Sequence, residues 1–194
     1  MVDLGGSKRP CATYSGAQTM TTTIPIQACF QADGYPTSVL MADGDTEEHL
    51  LMSTFSARFA PDLDFTFAQD GGDLLLQLAF IDAVDALPNA IVLNYHMNRR
   101  SGFQALCELQ AHPVLWQVPV IVIADQFRPN EEAASYRAGA RWFQRKPQTV
   151  EEMHELVDRI KDHAADPFTY QPCGSINLSL FNADFAAAVE DLFN

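Results

Sequence analysis

The chain has 194 residues, of which 47% are hydrophobic, and a formal net charge of -13. That length suits one domain with extensions or two small domains, and the apolar content suffices for a real core; the negative field repels phosphate backbones and anionic membrane surfaces, which argues against nucleic acid and membrane as partners. Cys11, Cys29, Cys107 and Cys173 form no CxxC pair, "MVDLGGSKRP" has no apolar signal core, and no run approaches the roughly 18 apolar residues of a membrane span. Free thiols in a cytoplasmic protein, with neither a zinc site nor a disulfide framework, are therefore expected.

Residues 1–36 are rich in Gly, Ser, Thr and Pro without sustained periodicity, and are expected to form a flexible extension. Within them "TTTIPIQACF" is a candidate edge strand, and Met20 is an alternative natural start. From residue 37 to 163, short apolar runs alternate with longer amphipathic segments, the pattern of βα units around a parallel sheet. The candidate strands are "SVLMA" (38–42), "LDFTFA" (63–68), "AIVLN" (90–94), "PVIVIA" (119–124) and "RWFQR" (141–145). The first, third and fourth are almost continuously apolar, as strands covered on both faces are, so they belong in the middle of the sheet.

Candidate helices run from Glu47 to Phe59, Gly72 to Ala86, Gly102 to Ala111, Asn130 to Arg137 and Val150 to Asp162, each with apolar residues three and four apart. Thr46 is expected to cap the first, with Glu47 and Glu48 in its opening turn. Gly139 suits a left-handed helix end, and Thr149 with Glu152 makes a capping box. Residues 164–194 begin with a Pro-containing linker and end in an amphipathic segment, Ala183 to Phe193, that gathers Phe185, Val189, Leu192 and Phe193 on one face. A helix that short is marginal alone. It is expected to dock, on its own domain, on a second copy or on another protein.

In open α/β sheets ligands bind beyond the carboxyl ends of the strands, where strand order reverses. That rule selects Asp43, Gly44 and Asp45 after the first strand, Asn94 at the end of the third, Ala124 and Asp125 after the fourth, and Lys146 before Pro147 after the fifth. The segments "VLMADGDTEEHLL", "PNAIVLNYHMNRRSGFQALCEL", "VPVIVIADQ" and "AGARWFQRKPQT" resemble, in order and interval, the receiver domain of bacterial two-component response regulators. The resemblance covers nearly all of residues 37–163. The spacing around "AHPVLWQVPVIVIA" is similar to that of single-domain receivers that act with phytochrome-like kinases.

The resemblance implies a doubly wound, five-stranded α/β fold. It also implies a chemistry: a phosphoryl group passes from a kinase histidine to an Asp ending the third strand. Two acids after the first strand hold magnesium, a Thr or Ser after the fourth binds the phosphoryl group, and a Lys after the fifth pairs with it. The carboxylate is the nucleophile, the cation offsets charge on the transferring group, and the hydroxyl and ammonium stabilise the product.

Carried onto this chain, the pattern is broken. Asp43 falls on the first acidic position and Gly44 on the second, the one that touches the metal; Asn94 stands at the phospho-acceptor and Ala124 at the hydroxyl position. Lys146 keeps the ammonium, and Phe143 occupies the aromatic switch position. An amide cannot form an acyl phosphate, so Asn94 should stop ordinary phosphorylation. Deamidation is disfavoured by bulky Tyr95, and an engineered acceptor change would not explain Gly44 and Ala124. No cofactor is expected, since Asp43 and Asp45 alone would hold magnesium weakly; an ion pair between Lys146 and Asp43 is expected instead.

Other residues invite other chemistry. Asp43, Gly44, Asp45 and Thr46 are similar to the loop of haloacid-dehalogenase-like phosphotransferases, but Thr46 comes one residue early and no later acidic pair follows a strand. His96 and Asp125 near the same rim suggest acid–base work. No Ser or Cys has a place beside them, so His96 is expected to be a solvated loop residue. His49, His112, His154 and His163 are expected at the surface. Arg99, Arg100, Arg141 and Arg145 are expected to be solvated or paired within the chain. Tyr136, Trp142 and Phe143 bring aromatic side chains near the face that receivers use for dimers and outputs.

The resulting expectation is a degenerate, non-enzymatic receiver that works in phosphorelay-type signalling through protein contacts. Its partner would be a sensor histidine kinase or another regulator; competition for kinase docking and a homodimer both stay open. The residues after His163 are too few for a DNA-binding or catalytic output domain.

Overall fold

The computed structural model describes residues 36–81 and 87–165. The N-terminal extension with its candidate strand and Met20, and the C-terminal amphipathic segment, lie outside these residues. The described elements are β1 (Thr37–Ala42), α1 (Thr46–Phe59), β2 (Leu63–Ala68), α2 (Gly71–Ala79), β3 (Ala90–Asn94), α3 (Gly102–Ala111), a 3-10 turn at Leu115–Gln117, β4 (Val120–Ala124), α4 (Pro129–Arg137), β5 (Trp142–Arg145) and α5 (Val150–Ala165).

All neighbouring strands pair in parallel, in the order β2-β1-β3-β4-β5. The three apolar runs thus hold the middle, and every residue of β3 and β4 is buried. Because successive side chains point to opposite faces, these strands feed two separate cores. On one face Leu40, Ile91, Leu93, Val120 and Val122 pack with Leu74, Leu75 and Leu78 of α2 and with Leu106 and Leu109 of α3. On the other, Val39, Met41, Val92, Ile121 and Ile123 pack with Met52 and Phe55 of α1 and with Met153, Leu156 and Ile160 of α5.

Several element ends differ from expectation for local reasons. Asp45, not Thr46, caps α1: it is the last extended residue, and its carboxylate accepts from the Glu47 N–H at 2.8 Å. Helix α2 stops at Ala79, short of Ala86, because the Ile81 N–H turns back to Leu78 O at 3.2 Å and tightens the last turn; residues 82–86 lie outside the described set. Pro119 has no N–H to give β4, although its carbonyl still accepts from the Ile91 N–H. Gly139 ends α4 at φ +98, as a left-handed position requires. The Glu152 N–H donates to Thr149 Oγ1, but the Glu152 carboxylate reaches the Gln148 N–H, so half of the expected capping box forms. Ser101 and Gln104 form a complete box at the start of α3.

Candidate functional site

The strand order reverses between β1 and β3, and the residues singled out above meet there. The backbone continues the sheet ladder past its strands. Asp43 N–H donates to Ala68 O at 3.0 Å, Tyr95 N–H to Ile123 O at 2.8 Å, and Lys146 N–H to Ala124 O at 2.8 Å. The chain after β1 is thereby pinned to the end of β2, and the chain after β3 and after β5 to the end of β4, before any side-chain contact forms.

Asp43 is 1% exposed and Lys146 5% exposed, so each charge needs a partner. Lys146 Nζ lies 2.8 Å from Asp43 Oδ2, a buried ion pair. Asp43 Oδ1 accepts from the Asp45 N–H at 3.0 Å and from Asn94 Nδ2 at 3.1 Å. Asn94 Oδ1 in turn accepts from the His96 N–H at 3.2 Å. The amide thus spends a donor on the carboxylate and its acceptor on the next loop.

Two further carboxylates surround the ammonium, Asp125 at 3.5 Å and Glu48 at 3.9 Å. Burial opposes the charge on Lys146, but the Asp43 carboxylate, with Asp125 and Glu48 behind it, outweighs that and holds the pKa above the usual lysine range. Burial pushes the Glu48 carboxyl up; Lys146 pulls the other way, and the charges on Asp43, Asp45 and Asp125 add to the rise. Glu48 escaped the sequence reading as a pocket residue. Its signal was present in the opening turn of α1, since a helix that follows β1 starts at the strand-end rim.

The positions that carry no charge are equally defined. Ala124 is fully buried and presents only a methyl group. Gly44 is exposed, and a Cβ there would meet only Gln69 O at 3.6 Å, an ordinary contact. Gly102 is different: a Cβ would fall 2.0 Å from the Asn94 carbonyl oxygen, so α3 starts directly against the end of β3.

The receiver fold implies a magnesium ion between these loops, and the residues present do not fit one. Both Asp43 oxygens are engaged, Gly44 offers no side-chain oxygen, and Asn94 Oδ1 accepts the His96 N–H. Among the described residues no three His, Cys, Asp or Glu side chains converge as a metal cluster.

The remaining candidates separate. His96 is half-exposed, with Nε2 3.2 Å from Glu131 Oε1. His112, expected at the surface, is buried, and its Nδ1 accepts from the N–H groups of Val114 and Leu115. It serves as a side-chain cap for the turn after α3, and burial lowers its pKa. Arg100 pairs with Glu108 at 2.6 Å. Phe143 turns inward, its ring 6.3 Å from that of Tyr95 and 6.2 Å from that of Phe127. Trp142 points to the opposite face, under the Arg159 guanidinium at 4.5 Å. Tyr136 is 41% exposed and its hydroxyl accepts from the Phe143 N–H. Cys107 is an exposed free thiol, and no described helix is long and apolar enough to cross a membrane.

No family model matches the chain. The response regulator Rcp1 of Synechocystis sp. is 24% identical over 74 residues, which are 38% of this chain and 50% of that protein, so the match spans about half of the curated relative. Among solved structures, the Francisella response regulator 1452 receiver domain aligns with a TM-score of 0.55 at 21% identity, covering 66% of this chain and 96% of that one. The manganese-bound form of response regulator Rcp1 aligns with a TM-score of 0.57 at 17% identity, covering 73% and 99%. Strand order, the two-faced core and these neighbours agree: the described residues have the flavodoxin-like fold of response-regulator receiver domains.

Proposed function

We propose that this domain is a degenerate receiver of two-component-type signalling that acts through protein contacts and is not switched by an aspartyl phosphate at its third strand. One observation carries the reading. The side chain at the acceptor position is an amide, Asn94, 4% exposed and tied between Asp43 and the His96 backbone. It has no nucleophilic oxygen to offer, and the neighbouring carboxylate is already neutralised by Lys146.

The manganese named for one structural neighbour marks the contrast, because the donors here are spent on one another. The phosphotransferase alternative fares worse on the same ground. Asp45, its second acid, is committed to the α1 cap, and Thr46 lies inside the helix. The partners that fit this reading are a sensor histidine kinase or another regulator.

Incubation with acetyl phosphate and magnesium, read by intact mass, tests the proposal. No phosphoryl mass gain is expected, and no turnover of a phosphate monoester. A stable gain that is lost in Asn94→Ala would place the phosphate on that side chain and overturn the reading, and monoester turnover would favour the enzyme.

A further inference from the structure

The face of the domain built by α1 and α5 is unfinished. Leu51, Phe55 and Phe59 recur every fourth residue of α1, and Val150 and His154 do so on α5. The His154 ring stands edge-on to Phe55 at 4.8 Å and to Phe59 at 4.9 Å, which joins the two rows into one strip. Along it Leu51 is 50% exposed, Phe59 46% and Val150 58%. Around it α1 carries no Asp or Glu from residue 49 to 61 and places the Arg58 guanidinium 5.2 Å from the Phe59 ring centroid, whereas α5 carries exposed Glu151, Glu155 and Asp158 beside Val150 and His154.

The chain itself supplies an apolar segment for it: residues 183–193 space Phe185, Val189 and Leu192 at helical intervals. Helix α5 ends at Ala165, one turn beyond Lys161, whose ammonium is 2.9 Å from Asp62, just past Phe59. Residues 166–182 reach roughly 55 Å when extended at about 3.3 Å per residue, whereas the 14 residues of α1 span only about 21 Å. Distance does not limit the encounter.

We propose that residues 183–193 dock as an amphipathic helix across the α1–α5 strip of their own domain, with Phe185, Val189 and Leu192 covering Leu51, Phe59 and Val150. An isolated helix of this length is marginal in water, and the strip provides the apolar surface it needs.

Hydrogen–deuterium exchange on the full chain, read by peptide mass, tests this. The amides of 183–193 are expected to exchange about tenfold or more slowly than unstructured peptide, and equally so at low and high protein concentration. Leu51→Glu and Phe59→Glu should each abolish that protection; Phe80→Glu, an exposed apolar residue beyond α2 on the opposite layer, should leave it intact. Slow exchange in β3 verifies that each variant is folded. If an α1 variant fails that check, Phe185→Glu and Leu192→Glu in the tail provide the second route, and must speed exchange in α1. Rapid exchange of 183–193 in the unaltered protein overturns the proposal, as does protection that survives the substitutions. Protection that appears only at high concentration would assign the strip to a second copy and overturn it equally.

Discussion

Lys146 is the cation of an acidic ring, with Asp43 at 2.8 Å, Asp125 at 3.5 Å and Glu48 at 3.9 Å, and it is almost inaccessible to water. Removing one member of a buried pair strands the other. Lys146→Met should therefore destabilise the domain by about 3–5 kcal/mol in urea unfolding, and Asp43→Asn in the same background should recover much of the loss. Because folding raises the Lys146 pKa, its stabilising contribution is complete below the unfolded lysine value of about 10.4 and is lost as pH rises through the folded value. Urea midpoints should stay level from pH 8 to about 10.4 and begin to fall above it in the unaltered protein and not in Lys146→Met. His112 works in the opposite direction. Its folded pKa is lowered by burial, so its contribution is present above the unfolded value of about 6.5 and is lost as pH falls through the folded one. His112→Asn should flatten the acid limb of the stability profile, as the same urea series would report.

Among the elements, the junction of β3 with α3 is the least tolerant. The Cβ of an alanine at Gly102 would meet backbone atoms of Asn94 at 2.0 and 2.8 Å, and backbone cannot yield as a side-chain tip can. Gly102→Ala should cost about 3 kcal/mol or more, seen as a lower urea midpoint, at the upper end of overpacking penalties. The elements also show where sequence is informative. Apolar continuity placed β1, β3 and β4 in the centre because parallel strands covered on both faces have no polar side to display. Gly139 was legible because only a left-handed residue ends α4 there. Asp45 as the cap in place of Thr46, the early end of α2 and the buried role of His112 were not legible. Each depends on which neighbouring atom the folded chain brings within reach: the Glu47 N–H, the Leu78 carbonyl, and the Val114 and Leu115 amides.

For the whole molecule, a net charge of -13 on 194 residues means that folding compresses like charges together. Raising sodium chloride from 0.05 to 0.5 M should increase the melting temperature, measured by circular dichroism, since screening weakens exposed repulsion and leaves the buried Lys146 pair nearly untouched. The strand-end rule located Asp43, Asn94, Ala124 and Lys146 from sequence because topology brings those ends together whatever side chains they carry. It did not enlist Glu48, whose approach depends on how α1 is pitched over the rim. A Cβ at Gly44 meets nothing closer than an ordinary contact, and the backbone there is not left-handed. On the function proposed above, what this cleft lacks is therefore a matter of composition and not of shape, since a side chain could be added at Gly44 with no loop to rebuild.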